Sequence, residues 1–222
     1  MDFIFCSHVS ERSNILVLLF MKEVLVVDMK YDALLIFRKQ IKQFSEMSNE
    51  KIDMWARLMT KVAYNTDDYY STPETPSTSL GYVARGLFRL YVVDRSGNEA
   101  TLAFTGENMF MSSYGAFILN QIQPVYIQAL EDSEVYVISR TEFLKFWETD
   151  AELKDVLQKV TELDCLRIRK REIGFLLYDA QTRYFNFLED FQKYANRIKL
   201  WYIASYLGIS PETLSRIRKK TE

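Results

Sequence analysis

Hydrophobic spacing divides the chain into stretches of different period. Between residues 31 and 64 the apolar positions Leu34, Leu35, Phe37, Ile41, Phe44, Ile52, Trp55, Leu58, Met59 and Val62 recur at intervals that predict helix. The polar run "SEMSNEK" breaks this region into two segments, with Ser48 placed to start the second. Residues 71–79, "STPETPSTS", set two prolines among serines and threonines and read as a loop. The period then shortens. "GYVARGLFRLYVVD" alternates around Gly86, "RSGNE" makes a turn at Gly97 and Asn98, and "ATLAFTGENMF", "PVYIQAL" and "EVYVIS" follow as short strand-like pieces. Strands at this spacing predict a small sandwich or barrel.

Helical spacing returns after residue 140. Between residues 151 and 173 there is no glycine or proline, and Leu153, Val156, Leu157, Val160, Leu163, Cys165, Leu166 and Ile168 form an apolar stripe. A helix of about six or seven turns there either covers the β-rich region or supplies a dimer seam. Another helix is expected over residues 180–194. In the final "YIASYLGISPETLSRIRKK", Ile203, Ala204 and Leu207 make one apolar face that ends at Gly208, which can take the positive φ of a turn. Ser210 is a good N-cap, Pro211 suits the first helical position, and Glu212 suits the positive end of the helix dipole. Leu214 and Ile217 continue the apolar side. Two short helices across a tight turn predict a helix-turn-helix, with small Ala204 allowing close crossing. Its outward face carries Pro211, Glu212, Ser215, Arg216 and Lys219. Arg216 can bond a guanine edge, Glu212 a cytosine amino group and Ser215 a base or phosphate, while Arg218, Lys219 and Lys220 suit phosphates. Ser210 and Thr213 complete the predicted DNA-binding set.

Charge sharpens this picture. The formal net charge is −2, but residues 1–164 hold 16 Lys and Arg against 24 Asp and Glu, and residues 165–222 hold 12 against 6. An acidic body with a basic C-terminal segment fits either a surface for a polyanion or a solvated, charge-rich helix end. Cys6 and Cys165 are the only cysteines and His8 the only histidine, which leaves no disulfide framework, no multi-histidine metal site and few routes to an enzyme. A reducing cytoplasm and no bound cofactor are expected. Near the N-terminus the apolar runs "ILVLLFM" and "VLVV" are separated by Lys22 and Glu23, and neither approaches the ~20 residues of a membrane span. Asp2 and Glu11 precede them, unlike a signal peptide. They read either as a buried element or as sequence ahead of a true start at Met21 or Met29.

"GLFRLYVVDRSGNEATLAFTGENMF", "IQALEDSEVYVISRTEF" and, above all, the C-terminal motif resemble the cyclic-AMP receptor protein and fumarate-nitrate regulator (Crp/Fnr) family of bacterial transcription factors. The resemblance covers about residues 30–222. It implies an α+β fold with a cyclic-nucleotide-binding-like β-roll (jelly roll), a long dimerisation helix and a C-terminal winged helix-turn-helix. On this basis residues 1–30 are an N-terminal extension, 31–149 the sensor domain, 150–174 the dimerisation helix and 175–222 the DNA-binding domain. Glu212, Ser215 and Arg216 fall on the family's reading positions, implying a palindromic operator with a TGA-like half-site core. Pro211 stands where some members carry an arginine. No strands clearly follow Lys220, and "YANR" offers little room for a wing.

The sensor departs further from the family. Against its cyclic-nucleotide cassette, Ser112 and Ser113 replace Gly-Glu, and Gln123 and Pro124 replace the Arg-Ser that a buried phosphate needs. Gly106 and Glu107 lie earlier, at the preceding turn. Iron-sulfur and haem sensing lack ligands. Ser112, Ser113, Tyr114, Gln123 and Tyr126 remain as candidates to line a pocket for an unidentified small-molecule effector. The expected function is a homodimeric, double-stranded-DNA-binding transcriptional regulator with a degenerate sensor and no membrane partner. The alternatives are a cyclic-nucleotide-responsive regulator with a rearranged site and a cupin-like β-barrel enzyme.

Overall fold

The computed structural model describes residues 29–119 and 121–220. The N-terminal apolar runs, Cys6 and His8 lie outside the described residues.

Helix α1 (Tyr31–Ile41) buries Leu34, Phe37 and Ile41 along one stripe. Helix α2 (Asn49–Ala56) starts where predicted, with the Ser48 hydroxyl accepting the Lys51 N–H at 3.3 Å. The helical reading then runs too far. Thr60–Tyr64 is strand β1, antiparallel to the much later β8 (Ser133–Ser139), with Val62 opposite Val135. Its β-branched and aromatic residues follow a pairing partner some 70 positions away, which local spacing does not register.

Strands β2 (Tyr69–Ser71), β3 (Ser79–Arg85), β4 (Phe88–Val93), β5 (Glu99–Thr105), β6 (Phe110–Met111) and β7 (Tyr126–Ala129) complete two four-stranded antiparallel sheets. Their orders are β1-β8-β3-β6 and β2-β7-β4-β5. The "RSGNE" turn joins β4 to β5, Asp94 Oδ1 accepting the Ser96 and Asn98 N–H groups. Tyr70, Val83, Phe88, Met111, Ile127, Ala129 and Val135 fill the space between the sheets. A second core joins α1, α2 and α4 (Arg140–Trp147) to Tyr82, Tyr136 and Ile138.

The long helix is α5 (Ala151–Leu177), capped by Asp150, whose carboxylate accepts the Leu153 N–H. The covering role of its stripe holds for the first part of the helix only. Leu153, Val156 and Leu157 are buried in the second core, whereas Leu166, Ile168 and Leu176 are exposed at 66%, 68% and 78%. Helix α6 (Ala180–Asp190) ends earlier than predicted. A 3-10 turn (Ala195–Arg197) leads into α7 (Leu200–Leu207) and α8 (Pro211–Lys219). No strand follows β8 among the described residues, so a turn stands where a wing was considered. None of the described helices is long and apolar enough to cross a membrane.

Candidate nucleic-acid interface and sensor interior

The turn between α7 and α8 is built as its residue types require. Gly208 takes φ 65°, ψ 40°, and the Ile209 N–H donates to Ala204 O at 3.0 Å, satisfying a terminal carbonyl of α7. A Cβ at Gly208 would lie 2.8 Å from Phe175 Cε1, so a side chain there meets both an unfavourable φ and the Phe175 ring. The Ser210 hydroxyl accepts the Thr213 N–H at 3.2 Å, and Pro211 opens α8. Leu214 and Ile217 are buried among Ile203, Ala204 and Leu207. That seam turns Ser210, Pro211, Glu212, Ser215, Arg216, Lys219 and Lys220 to solvent, with Thr213 and Arg218 half-buried. Arg216 Nη2 donates to Thr213 Oγ1 at 3.1 Å. The hydrogen bond from Ser210, then the helix-start backbone and the charge of Arg216, hold the Glu212 carboxyl below the usual range. The exposed strip is therefore one carboxylate among cations on a single helix face.

This helical pair is docked on the β-roll. Phe104 of β5 and Leu87 belong to the same core as Tyr184, Phe187, Phe191 and Tyr206. Arg89, 1% exposed near the start of β4, donates to Thr101 Oγ1 and Glu99, with its guanidinium 4.3 Å from the Tyr91 ring and 4.0 Å from the Tyr202 ring. An internal cation is tolerable only when paired in this way. Arg197 binds both Glu107 and Glu131. Burial raises the Glu107 carboxyl, but its bonds from Arg197, the backbone and the Gly86 N–H outweigh that and leave it below the usual range. The Tyr194 hydroxyl donates to Glu107 O, and its ring lies so close that a Cβ on Gly106 would sit 2.4 Å from it. The Gly106-Glu107 pair thus serves the contact between roll and C-terminal region.

Of the predicted effector residues, Tyr126 faces away from the interior of the roll. Ser113 is buried, and its carbonyl accepts the Phe117 N–H at the start of α3 (Tyr114–Leu119), which Tyr114 opens; Ser112 and Gln123 are half-buried. Tyr126 sits elsewhere. Its neighbour Ile127 points into the roll with Phe88, while Tyr126 stands opposite Tyr91 on the outer sheet face, stacked at 5.0 Å. The alternation of strand faces excludes Tyr126 from the interior.

Three of the roll's four cations already have partners. Between residues 60 and 139 these are Lys61, Arg85, Arg89 and Arg95. Lys61 and Arg85 meet Glu134, Arg89 faces α7, and Arg95 is exposed in the turn. Arg140 donates to the carbonyls of Phe117 and Ile118. Tyr70 stands in the interior, its hydroxyl pushed up to about 12 by burial. No group of three or more His, Cys, Asp or Glu side chains among the described residues could hold a metal ion.

Sequence reasoning missed Arg89 and Arg171. Each left a trace: an arginine within the apolar strand "LFRLYVV", and another four positions beyond Arg167 on the inward face of α5.

Over residues 61–150 the chain matches the cyclic nucleotide-binding domain family. Taken with α5 and the C-terminal helices, the chain has the fold of the Crp/Fnr regulators. It is similar to FixK2 from Bradyrhizobium japonicum, at 19% identity and a TM-score of 0.65, covering 73% of this chain and 83% of that one. It is also similar to CLP, the c-di-GMP-responsive global regulator of Xanthomonas campestris, at 19% identity and a TM-score of 0.63 over 78% and 91% of the two chains. A Crp/Fnr-family protein from Eubacterium rectale aligns at 16% identity and a TM-score of 0.61, over 87% and 83%. No curated protein matches the sequence.

Proposed function

We propose that this protein is a homodimeric transcriptional regulator that reads a palindromic operator through α8. The observation that carries the reading is the exposed strip of Glu212, Ser215 and Arg216 on a helix held across a tight turn by Leu214 and Ile217. A helix presented in this way fits the major groove, and Arg218, Lys219 and Lys220 at its end suit phosphates. The unpartnered side of α5, with Leu163, Leu166, Ile173 and Leu176 exposed, supplies the seam for a second copy. Two reading helices related by that seam need a separation of about 34 Å, one DNA turn.

Selection of binding sites from random DNA tests the reading. A two-fold symmetric site with a TGA-like half-site core is expected. Replacing Arg216 by Ala should then weaken specific binding by roughly 1–3 kcal/mol and relax one base preference. Equal affinity and selectivity at matched salt would remove Arg216 from the reading set.

The sensor half of the proposal is that the roll does not take a cyclic nucleotide through an arginine-phosphate pair. Its supports are the aromatic and aliphatic filling between the sheets and the existing partners of Lys61, Arg85 and Arg89. Calorimetry with cyclic AMP and cyclic GMP should show no micromolar binding. Heat from either at that level would restore the alternative of a rearranged cyclic-nucleotide site.

A further inference from the structure

Three parts of the molecule meet at one guanidinium. Arg171 lies on α5, and its Nη2 donates at 3.0 Å to Thr101 O on β5 and at 2.9 Å to Tyr206 O at the end of α7. Its Nε also approaches Tyr206 O, at 3.3 Å, and the guanidinium lies 4.6 Å from the Tyr206 ring and 4.8 Å from the Phe175 ring. A flat fork with five donors can join two carbonyls on different elements, whereas an ammonium offers one point of charge. The junction is tight. The cavity left among Arg171, Phe175, Arg183 and Tyr206 is about 30 Å³, room for a water molecule rather than a ligand.

The contacts around Arg171 control where α8 can lie. Tyr206 is two residues before Gly208, and Phe175, one turn along α5 from Arg171, fills the space beside that glycine. Arg183 of α6 holds the next carbonyl, Leu207 O, at 3.2 Å. On the sensor side β5 is a sheet edge, and its free Thr101 N–H and Glu99 C=O meet the Ser205 hydroxyl of α7 at 2.9 and 3.0 Å. The end of α7 is therefore referenced both to the long helix and to the sheet edge, and α8 follows from it across three residues.

We infer that Arg171 is a positioning residue that sets the operator spacing the two reading helices accept, by fixing the end of α7 against α5 and β5. The inference rests on the proposed reading of α8 as the DNA-contacting helix. It assigns Arg171 no contact with bases. Its loss should leave the half-site sequence preference intact and loosen only the distance between half-sites, which changes by about 3.4 Å per base pair.

The test uses the full chain and palindromic operators with the selected half-site, their centres moved apart or together by single base pairs. The parent should prefer one spacing. Arg171→Met keeps the stem and its packing but removes both carbonyl bonds. The preference for the best spacing over the next should then fall about tenfold, within the usual range of coupling between sites. Arg171→Lys should be intermediate. Ser205→Ala breaks the same joint from its other side and should loosen the spacing too, which covers the case of an Arg171 variant that does not fold. A folded Arg171→Met protein with the parent's spacing profile overturns the inference, as does loss of half-site base preference together with spacing. A parent that selects no operator sinks the functional reading itself, and this inference with it.

Discussion

Replacing Phe104 by Ala should lower the stability of the whole chain by about 3–5 kcal/mol, the usual cost of removing a buried aromatic side chain. Phe104 is 1% exposed and belongs to a β-strand of the roll, yet its ring packs 5.6 Å from Phe191, 5.7 Å from Tyr206 and 6.2 Å from Phe187. It therefore links two cores that the polar contacts of Arg89 and Arg197 only register. In the variant the roll keeps its own interior of Val83, Phe88, Ile127 and Val135, while the C-terminal helices lose the wall they rest on. Calorimetry should show the parent's melt separating into two, with the C-terminal step moved to lower temperature. A single unsplit transition shifted by less than about 1 kcal/mol would show that Phe104 does not join the two regions.

Leu214→Ala should cost about 2–5 kcal/mol, all of it falling on the α7–α8 pair. Leu214 is fully buried and forms the seam of that pair with Ile203, Ala204 and Leu207. Hydrogen exchange should show the amides of α7 and α8 losing protection while β3 and β8 keep theirs, and operator binding should disappear rather than weaken. The contrast with Arg216→Ala is informative. One change abolishes the reading surface, whereas the other leaves it folded and less selective. Retained protection across α7 and α8 in the Leu214 variant would contradict this account of the seam.

The C-terminal pair was legible because every step of it is local. Gly208, Ser210, Pro211 and the spacing of Leu214 and Ile217 act within a few residues of one another, and the structure uses each as its chemistry suggests. β1 was misread because Val62 looks helical until it is set beside Val135, a pairing made by the fold rather than by neighbouring residues. Tyr126 was misplaced for a related reason. A strand has two faces, and only the register against Tyr91 shows which one turns outward. Arg89 and Arg171 were invisible as functional groups because their partners, Tyr202 and the carbonyls of Thr101 and Tyr206, lie on elements distant in sequence. Charge counting cannot tell a buried cation from a solvated one.

The covering of β5 by Ser205 and Arg171 also bears on how the protein is made. β5 is synthesised about one hundred residues before α7, so for roughly 5–20 s at ribosomal speed the nascent roll presents Thr101 and Glu99 as a bare strand edge. An edge of that kind invites pairing with any extended segment nearby, including a neighbouring nascent chain. Helix α7 thus closes late over the strand edge that it covers, and a truncation before residue 200 should yield aggregates rather than a soluble roll.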